Sequence, residues 1–246
     1  MKEYIYSRNA VYETLRARRR QPIRLMIADK IQEKGHLSDI LEMAKERKLP
    51  VDRVPRQNLD SITPQHQGVI LEAGHYPYMD ISDILDNASA KQEPLFVLLL
   101  DSLQDPQNFG TLLRTAEAVG IHGIVLPLAH TVEVTPAVVN ASSGACEHLL
   151  ITQSNLVQAI ETFKKAGAWV VGLDESPRSQ TPDQVRLDGG LAVVVGSEGE
   201  GIRQLVRQKC DFMLRLPMRG QIESLNASVA GSIVLYLASQ TRAAVK

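Results

Sequence analysis

Apolar positions follow one rhythm along the first 75 residues of this chain and another after Pro94. Near the start, Ala10, Val11, Thr14 and Leu15 recur at helical spacing, with Ser7 placed to cap the helix they form. Pro22 opens a strand-like run, Ile23 to Ala28. A second helix over Leu37 to Lys48 gathers Ile40, Leu41 and Ala44 on one face, and Pro50 stops it. Short strands are expected at Val51 to Val54 and at Gly68 to Ala73, completing a small α/β domain over residues 1–75. Residues 76–93, with Pro77, several acidic residues and little periodicity, read as a linker holding one helical turn.

From residue 94 to 246 continuous apolar runs alternate with helical patterns. The runs are Leu95 to Leu100, Ile124 to Leu126, Leu149 to Ile151, Trp169 to Leu173, Leu191 to Val195 and Phe212 to Leu216. Helices are expected near Thr111 to Val119, Pro136 to Ala145, Leu156 to Lys165, Ile202 to Gln208 and Leu225 to Thr241. Strands apolar on both faces belong to a mostly parallel sheet covered by helices, so the fold class is α/β. Ligands in such sheets bind outside the carboxyl ends of the strands, which directs attention to the loops after Leu100, Val195 and Leu216.

Composition narrows the function classes. With 246 residues, 44% of them apolar, the chain can bury a real core, and no apolar run approaches the length of a membrane span. A cytoplasmic address with no membrane partner is the expectation. Cys146 and Cys210 lack CxxC spacing and the six histidines show no ligand pattern, so buried free thiols and no metal are expected. The net charge of −1 conceals an asymmetry: residues 1–75 carry 14 Lys/Arg against 10 Asp/Glu, and residues 76–246 carry 13 against 18. Arg16, Arg18, Arg19 and Arg20 form the densest basic cluster, either a solvated surface or a patch for nucleic-acid phosphates.

Three segments carry candidate chemistry. In the first, Leu112, Ala116 and Val119 form the buried stripe of a helix, and Arg114 lies opposite. Arg114 is either a solvated side chain or a cation free to meet a ligand, and Asn108 either caps the helix or faces that ligand. The second, Gly196-Ser-Glu-Gly-Glu-Gly201, lacks the Walker lysine and the dinucleotide glycine spacing. Its carboxylates would repel a phosphate and favour a cationic or hydroxyl-bearing ligand, such as a sulfonium; a plain strand-to-helix turn is the alternative. In the third, a helix from Leu225 is expected to bury Leu225, Val229, Ile233 and Tyr236. Its small residues Ala227, Ala230 and Gly231 would serve tight packing inside the subunit or an interface between subunits.

These segments carry a resemblance. Asn108 to Gly120 (NFGTLLRTAEAVG), Val195 to Ile202 (VGSEGEGI) and Leu216 to Ala230 (LPMRGQIESLNASVA) resemble, in order, the three motifs of the SpoU/TrmH family of RNA ribose 2'-O-methyltransferases in the SPOUT superfamily. Residues 1–75, ending in His66-Gln-Gly-Val69 and the strand after it, resemble the family's RNA substrate-binding domain. The resemblance implies a SPOUT fold whose C-terminal part forms a trefoil knot, a feature no composition could show. It also implies S-adenosylmethionine as cofactor, an RNA substrate, and a homodimer joined by the C-terminal helix with its active site completed across the dimer. Carried over by motif, Gly196, Leu216 and Leu225 would contact the cofactor with Met218, Asn226 and Ser228 nearby, and Asn108, Arg114, Glu198 and Asn226 would be catalytic.

The reaction so implied is attack by a ribose 2'-oxygen on the sulfonium methyl, in which charge disappears and a dry, well-positioned pocket helps. Arg114 is a poor base, so its expected part is to hold a phosphate and stabilise the developing alkoxide, with Glu198 and Asn108 orienting it and the ribose and proton removal left open to phosphate or water. Within the family the chain most resembles the branch that methylates guanosine in 23S ribosomal RNA. A transfer-RNA methylating relative, an antibiotic-resistance enzyme acting on ribosomal RNA, and a non-catalytic RNA-binding ribosome-assembly protein stay open.

Overall fold

The computed structural model describes residues 2–176, 178–221 and 224–243. Two compact units emerge, Met1–Pro77 with Glu133–His148, and Tyr78–Val132 with Leu149–Lys246. The first seven elements are β1 (Glu3–Tyr6), α1 (Arg8–Ala17), β2 (Pro22–Ala28), α2 (His36–Glu46), β3 (Val51–Val54), α3 (Arg56–Asp60) and β4 (Val69–Ala73). Then follow α4 (Ile81–Ala90), β5 (Phe96–Asp101), α5 (Pro106–Ala118), β6 (Gly123–Leu126), α6 (Pro136–Ala141) and a 3-10 turn (Ala145–His148). The chain ends with β7 (Ile151–Gln153), α7 (Leu156–Lys165), β8 (Trp169–Leu173), β9 (Leu191–Gly196), α8 (Gln204–Arg207), β10 (Phe212–Leu214) and α9 (Ala227–Ala243).

In the first unit the sheet order is β1-β4-β2-β3, with β2 and β3 parallel and the other pairs antiparallel. Strand β1 escapes a pattern reading because Ile5 is its one fully buried side chain, which leaves no period to see. Ser7 is not a side-chain cap: it sits at φ 75°, and Gln67 Oε1 instead accepts from the Arg8 N–H at 3.1 Å. The segment Glu133–His148, expected within the second domain, groups with this unit. Its Gly144 is wedged against α1, where a Cβ would meet Glu13 Cβ at 2.5 Å, and its Glu147 carboxylate is fully buried beside Arg20.

The second unit is a six-stranded sheet in the order β10-β8-β9-β5-β6-β7, with every pair parallel. Central strands β5 and β9 are buried along their whole length, which is why both read as unbroken apolar runs. Phe163 and Ile160 of α7 pack with Val97, Leu99, Val170 and Val194 in the core. Where a linker was expected, α4 forms a ten-residue helix with Ile84 and Ala88 buried. The Asp83 carboxylate accepts from the Asp80 N–H at 2.8 Å, and a Cβ on Gly123 would lie 2.4 Å from Ile84, so glycine at the head of β6 lets this helix seat.

Helix α9 turns the expected face around. It buries Ser228, Gly231, Val234, Leu235 and Ala238, while Val229, Ile233, Tyr236 and Leu237 stay exposed at 42%, 38%, 58% and 36%. Small residues win the inner face because α5 and β9 approach closely: a Cβ on Gly231 would lie 3.0 Å from Leu112 and 3.1 Å from Val195. Thr115 Oγ1 donates to Ser232 Oγ at 2.9 Å across the same contact. Among the described residues no helix is long and apolar enough to cross a membrane.

Candidate active site

A cleft of about 590 Å³ opens at the carboxyl ends of β8, β9 and β10. Its volume lies in the range that holds a nucleoside-sized ligand. The glycine loop 196–201 lines one side, Leu214 to Leu216 with Met218 another, and Ser224 to Ala227 with Ala230 a third. Gly196, Leu216, Met218, Leu225 and Asn226, expected as cofactor contacts, all line it. Ser228 does not; it is buried behind the wall.

The loop owes its shape to its glycines. Ser197 and Gly201 exchange backbone hydrogen bonds at 3.1 Å, and a Cβ on Gly196 would fall 2.2 Å from the Gly201 carbonyl carbon. At Gly196, then, the close approach is made by the chain itself. Gly199 and Gly201 take φ of +98° and +67°, the left-handed region that glycine enters without penalty. Carboxylates dominate the lining, with Asp174, Glu175, Glu198 and Glu200 against Arg215.

Sequence reasoning placed β8 but missed Leu173, Asp174 and Glu175, because only the strand order brings its carboxyl end to this crevice. They follow β8, and β8 lies beside β9 in a parallel sheet, so its carboxyl end borders the same crevice. Burial opposes ionisation of Asp174, but the Arg207 guanidinium and Ser179 Oγ, at 2.9 Å, outweigh it and hold the carboxyl below its usual range. Of the loop after Leu100, Asp101 serves the fold. Asp101 is fully buried and accepts from Arg203 N at 2.8 Å and Nε at 2.6 Å, tying β5 to the entrance of α8.

Beside the cleft, three expected catalytic residues meet. Asp105, not Asn108, caps α5, accepting from the Gln107 N–H at 3.0 Å with Pro106 at the first helical position. Asn108 therefore sits in the first turn with its side chain free, and its Nδ2 donates to Glu198 Oε1. Asn226 Nδ2 donates to the same oxygen at 2.5 Å and to Asn108 Oδ1 at 3.1 Å. Asn226 also caps α9, accepting from the backbone N–H of Ser228 at 2.9 Å and of Val229 at 3.3 Å. One carboxylate oxygen thus receives two carboxamides, and Glu198 Oε2 keeps no hydrogen bond among the described residues.

Arg114 stands apart from this trio. It lies six residues along α5 from Asn108, which on a regular helix is about 120° around and about 9 Å along the axis. Its side chain is exposed, and among the described residues it makes no hydrogen bond or ion pair. The expected orientation of Arg114 by Glu198 and Asn108 is absent within one chain.

The basic cluster of the first unit is largely spoken for. Arg20 is buried, with Nε on Glu147 at 2.8 Å and Nη1 on Glu3 and on the Gly74 carbonyl. Arg19 donates to Tyr76 Oη at 3.0 Å and the Pro77 carbonyl at 3.1 Å. Arg16 is exposed but pairs with Glu13 at 3.2 Å, and only Arg18 of the four is exposed with no hydrogen bond or ion pair among the described residues. As an RNA-binding residue Arg20 is corrected: its guanidinium is enclosed by carboxylates of its own unit. Both cysteines are free, Cys146 buried and Cys210, against expectation, only partly so, and burial pushes each thiol up to about 12. Among the described residues no group of three or more His, Cys, Asp or Glu could hold a metal ion.

Comparison with known proteins divides the chain once in sequence, leaving Glu133–His148 in the second part. Residues 95–236 match a family model described as the SpoU rRNA Methylase family, and residues 4–79 match one described as RNA 2'-O ribose methyltransferase substrate binding. YacO of Bacillus subtilis, named as a TrmH family tRNA/rRNA methyltransferase, is 43% identical over 238 residues, covering 95% of this chain and 94% of its own. A Staphylococcus aureus protein with the same family name is 39% identical over 234 residues, covering 94% and 93%. The SpoU methyltransferase AviRb from Streptomyces viridochromogenes, solved in complex with the cofactor AdoMet, shares the fold with a TM-score of 0.81 over 99% of this chain and 91% of its own, at 21% identity. An AdoMet-bound rRNA methyltransferase from Sinorhizobium meliloti does so with a TM-score of 0.78 over 97% and 87%, at 22% identity.

Proposed function

The chain belongs to the SpoU rRNA methylase family, and from that premise we propose that it methylates a ribose 2'-hydroxyl of RNA, with a guanosine of 23S ribosomal RNA as target. Methyl transfer to RNA with S-adenosylmethionine as donor comes with the family. The reading of 2'-hydroxyl methylation rests on one observation above all, the Asn108–Glu198–Asn226 cluster at the rim of a glycine-floored, carboxylate-lined cleft, while the 23S guanosine target is carried by the motif resemblance alone.

The donor set suits that cofactor. Leu173, Leu216, Met218 and Leu225 offer apolar surface to an adenosine, and three glycines of the loop 196–201 add no side chain to the cleft wall. Glu198, Glu200 and Glu175 supply a field that favours a cation. Bound there, S-adenosylmethionine supplies a methyl carbon made electrophilic by its sulfonium.

The chain's own residues handle the acceptor. Two carboxamides fix Glu198 through Oε1, so Oε2 is the atom open to accept the hydrogen bond of the ribose hydroxyl and, as its oxygen takes the methyl, the proton. A guanidinium on the flanking phosphate and the developing alkoxide is the remaining requirement, and Arg114 is the exposed cation of the motif.

Arg114 meets Glu198 in this reading only when a second copy docks. Val229, Ile233, Tyr236 and Leu237 of α9 are spaced as one helical face and left exposed, a self-complementary apolar stripe of the kind a two-fold homodimer buries. The trefoil knot implied by the family, the cytoplasmic address and RNA binding by the first unit, with Arg18 as its open cation, complete the proposal.

Methyl transfer from labelled S-adenosylmethionine to ribosomal RNA and to transfer RNA, assayed side by side with the purified protein, tests it. Label entering 23S ribosomal RNA is expected. Label confined to transfer RNA would overturn the target, and label in neither would overturn the catalytic reading.

A further inference from the structure

Ser228 lies 2% exposed outside the cleft, in contact with the two carboxamides that hold Glu198. Its hydroxyl is 2.6 Å from Asn226 Oδ1 and 3.3 Å from Asn108 Oδ1. Chemistry fixes how these amides face. Backbone N–H groups at 2.9 and 3.3 Å can only donate, so the Asn226 oxygen must point into the helix start and its NH2 outward. That NH2 reaches Asn108 Oδ1 at 3.1 Å, which in turn directs the Asn108 NH2 to Glu198.

The helix end orients Asn226 by itself, but Asn108 has no such anchor. Its oxygen accepts from Asn226 Nδ2 at 3.1 Å and shares, at 3.3 Å, the single Ser228 hydroxyl proton that Asn226 Oδ1 takes at 2.6 Å. If Asn108 turned over, its oxygen would face the Glu198 carboxylate, acceptor against acceptor, and one of the two amides fixing Oε1 would be lost. We propose that Ser228 is a positioning residue for methyl transfer, its buried hydroxyl bridging the carboxamides of Asn226 and Asn108 so that both donate to one oxygen of Glu198 and leave the other for the ribose. This rests on the catalytic reading of Glu198 given above. It differs from a cofactor contact, which would place the hydroxyl in the cleft, and from a helix-capping role, which Asn226 already fills.

The experiment compares Ser228→Ala and Ser228→Thr in the full chain. In Ser228→Ala, kcat for RNA methylation is expected to fall about tenfold, the scale of one lost hydrogen bond. S-adenosylmethionine affinity by calorimetry and KM for RNA should stay within about twofold, since neither ligand touches the hydroxyl. Ser228→Thr, which keeps the hydroxyl, should recover most of the rate. In an Asn108→Ala background the Ser228→Ala loss should largely vanish, whereas a general structural contribution would persist there. Unchanged kcat, a loss confined to cofactor affinity, or full additivity with Asn108→Ala would each overturn the assignment. Side-chain NMR keeps the two readings separable: the Asn108 carboxamide protons should be protected in the unmodified protein and lose protection in Ser228→Ala. If the unmodified protein transfers no methyl group, the catalytic reading fails and that protection alone decides the role of Ser228, equal protection in both proteins overturning it.

Discussion

The arginines of the two units have opposite fates. Arg16 to Arg20 of the first unit form the densest positive cluster in the sequence, yet Arg20 is enclosed by Glu3 and Glu147 and Arg19 is held by Tyr76 and Pro77. Arg114 of the second unit is a single cation on an outward helix face, and among the described residues it has no partner. Density of charge in a sequence therefore says little about charge available to a ligand. Carboxylates from residues 3 and 147 neutralise a site at residue 20, and no local window contains all three.

The contrast is broken most severely by removing Arg20. Arg20→Ala leaves Glu147 buried without its partner, and loss of one member of a buried pair costs about 3–5 kcal/mol. Denaturant unfolding of the variant should show that loss, while Arg18→Ala should be nearly neutral; equal stability of the two would end the distinction. Arg114→Ala should do the reverse. Methyl transfer should drop about 10²–10³-fold, the cost of removing one donor to a developing oxyanion, with the unfolding midpoint and S-adenosylmethionine affinity unchanged. A near-normal rate would remove Arg114 from the mechanism.

Ile233→Asp sharpens the proposed reason for Arg114's isolation. A charge in the exposed stripe of α9 should convert a dimer to a monomer by light scattering and lower transfer with it, while the monomer stays folded. A monomeric unmodified protein would defeat that account. The smallest effect is expected at His122, whose side chain is fully buried with Nδ1 accepting from the Phe96 N–H at 2.9 Å. Burial lowers its pKa below 6.5, with Lys91 and Arg242 adding to the shift and Glu93 opposing it. A lowered folded value means the unfolded chain takes up the proton first. Its stabilisation is therefore complete above about pH 6.5 and is lost as pH falls from there through the folded value. Melting temperatures should decline over that window, and less so in His122→Asn.

What the sequence made legible follows from the reach of each signal. Strands β5 and β9 are buried on both faces and announce themselves by composition alone, and Trp169–Leu173 of β8 and Leu156–Lys165 of α7 stand where periodicity put them. The motif residues Asn108, Glu198 and Asn226, separated by 90 and 28 residues, are brought into one hydrogen-bonded cluster. Helix α9 shows the limit. Periodicity detected its two faces but not which one turns inward, because a helix whose small side packs on α5 and whose large side is left open has the same period as the reverse. Helix α4 was read as a single turn for a related reason: its seat depends on Gly123, about forty residues away. The roles of Leu173 to Glu175 needed the strand order, which places β8 next to β9 although 17 residues separate Leu173 from Leu191 in sequence.

The central claim is that the cleft and the Asn108–Glu198–Asn226 cluster direct a methyl group to a ribose oxygen. Nucleoside mass spectrometry of ribosomal RNA methylated by the purified protein tests it most directly. The account predicts one 2'-O-methylguanosine at a single position, resistant to alkaline cleavage and absent when Glu198→Gln is used. A methyl group on a base, or the same product from Glu198→Gln, would contradict it.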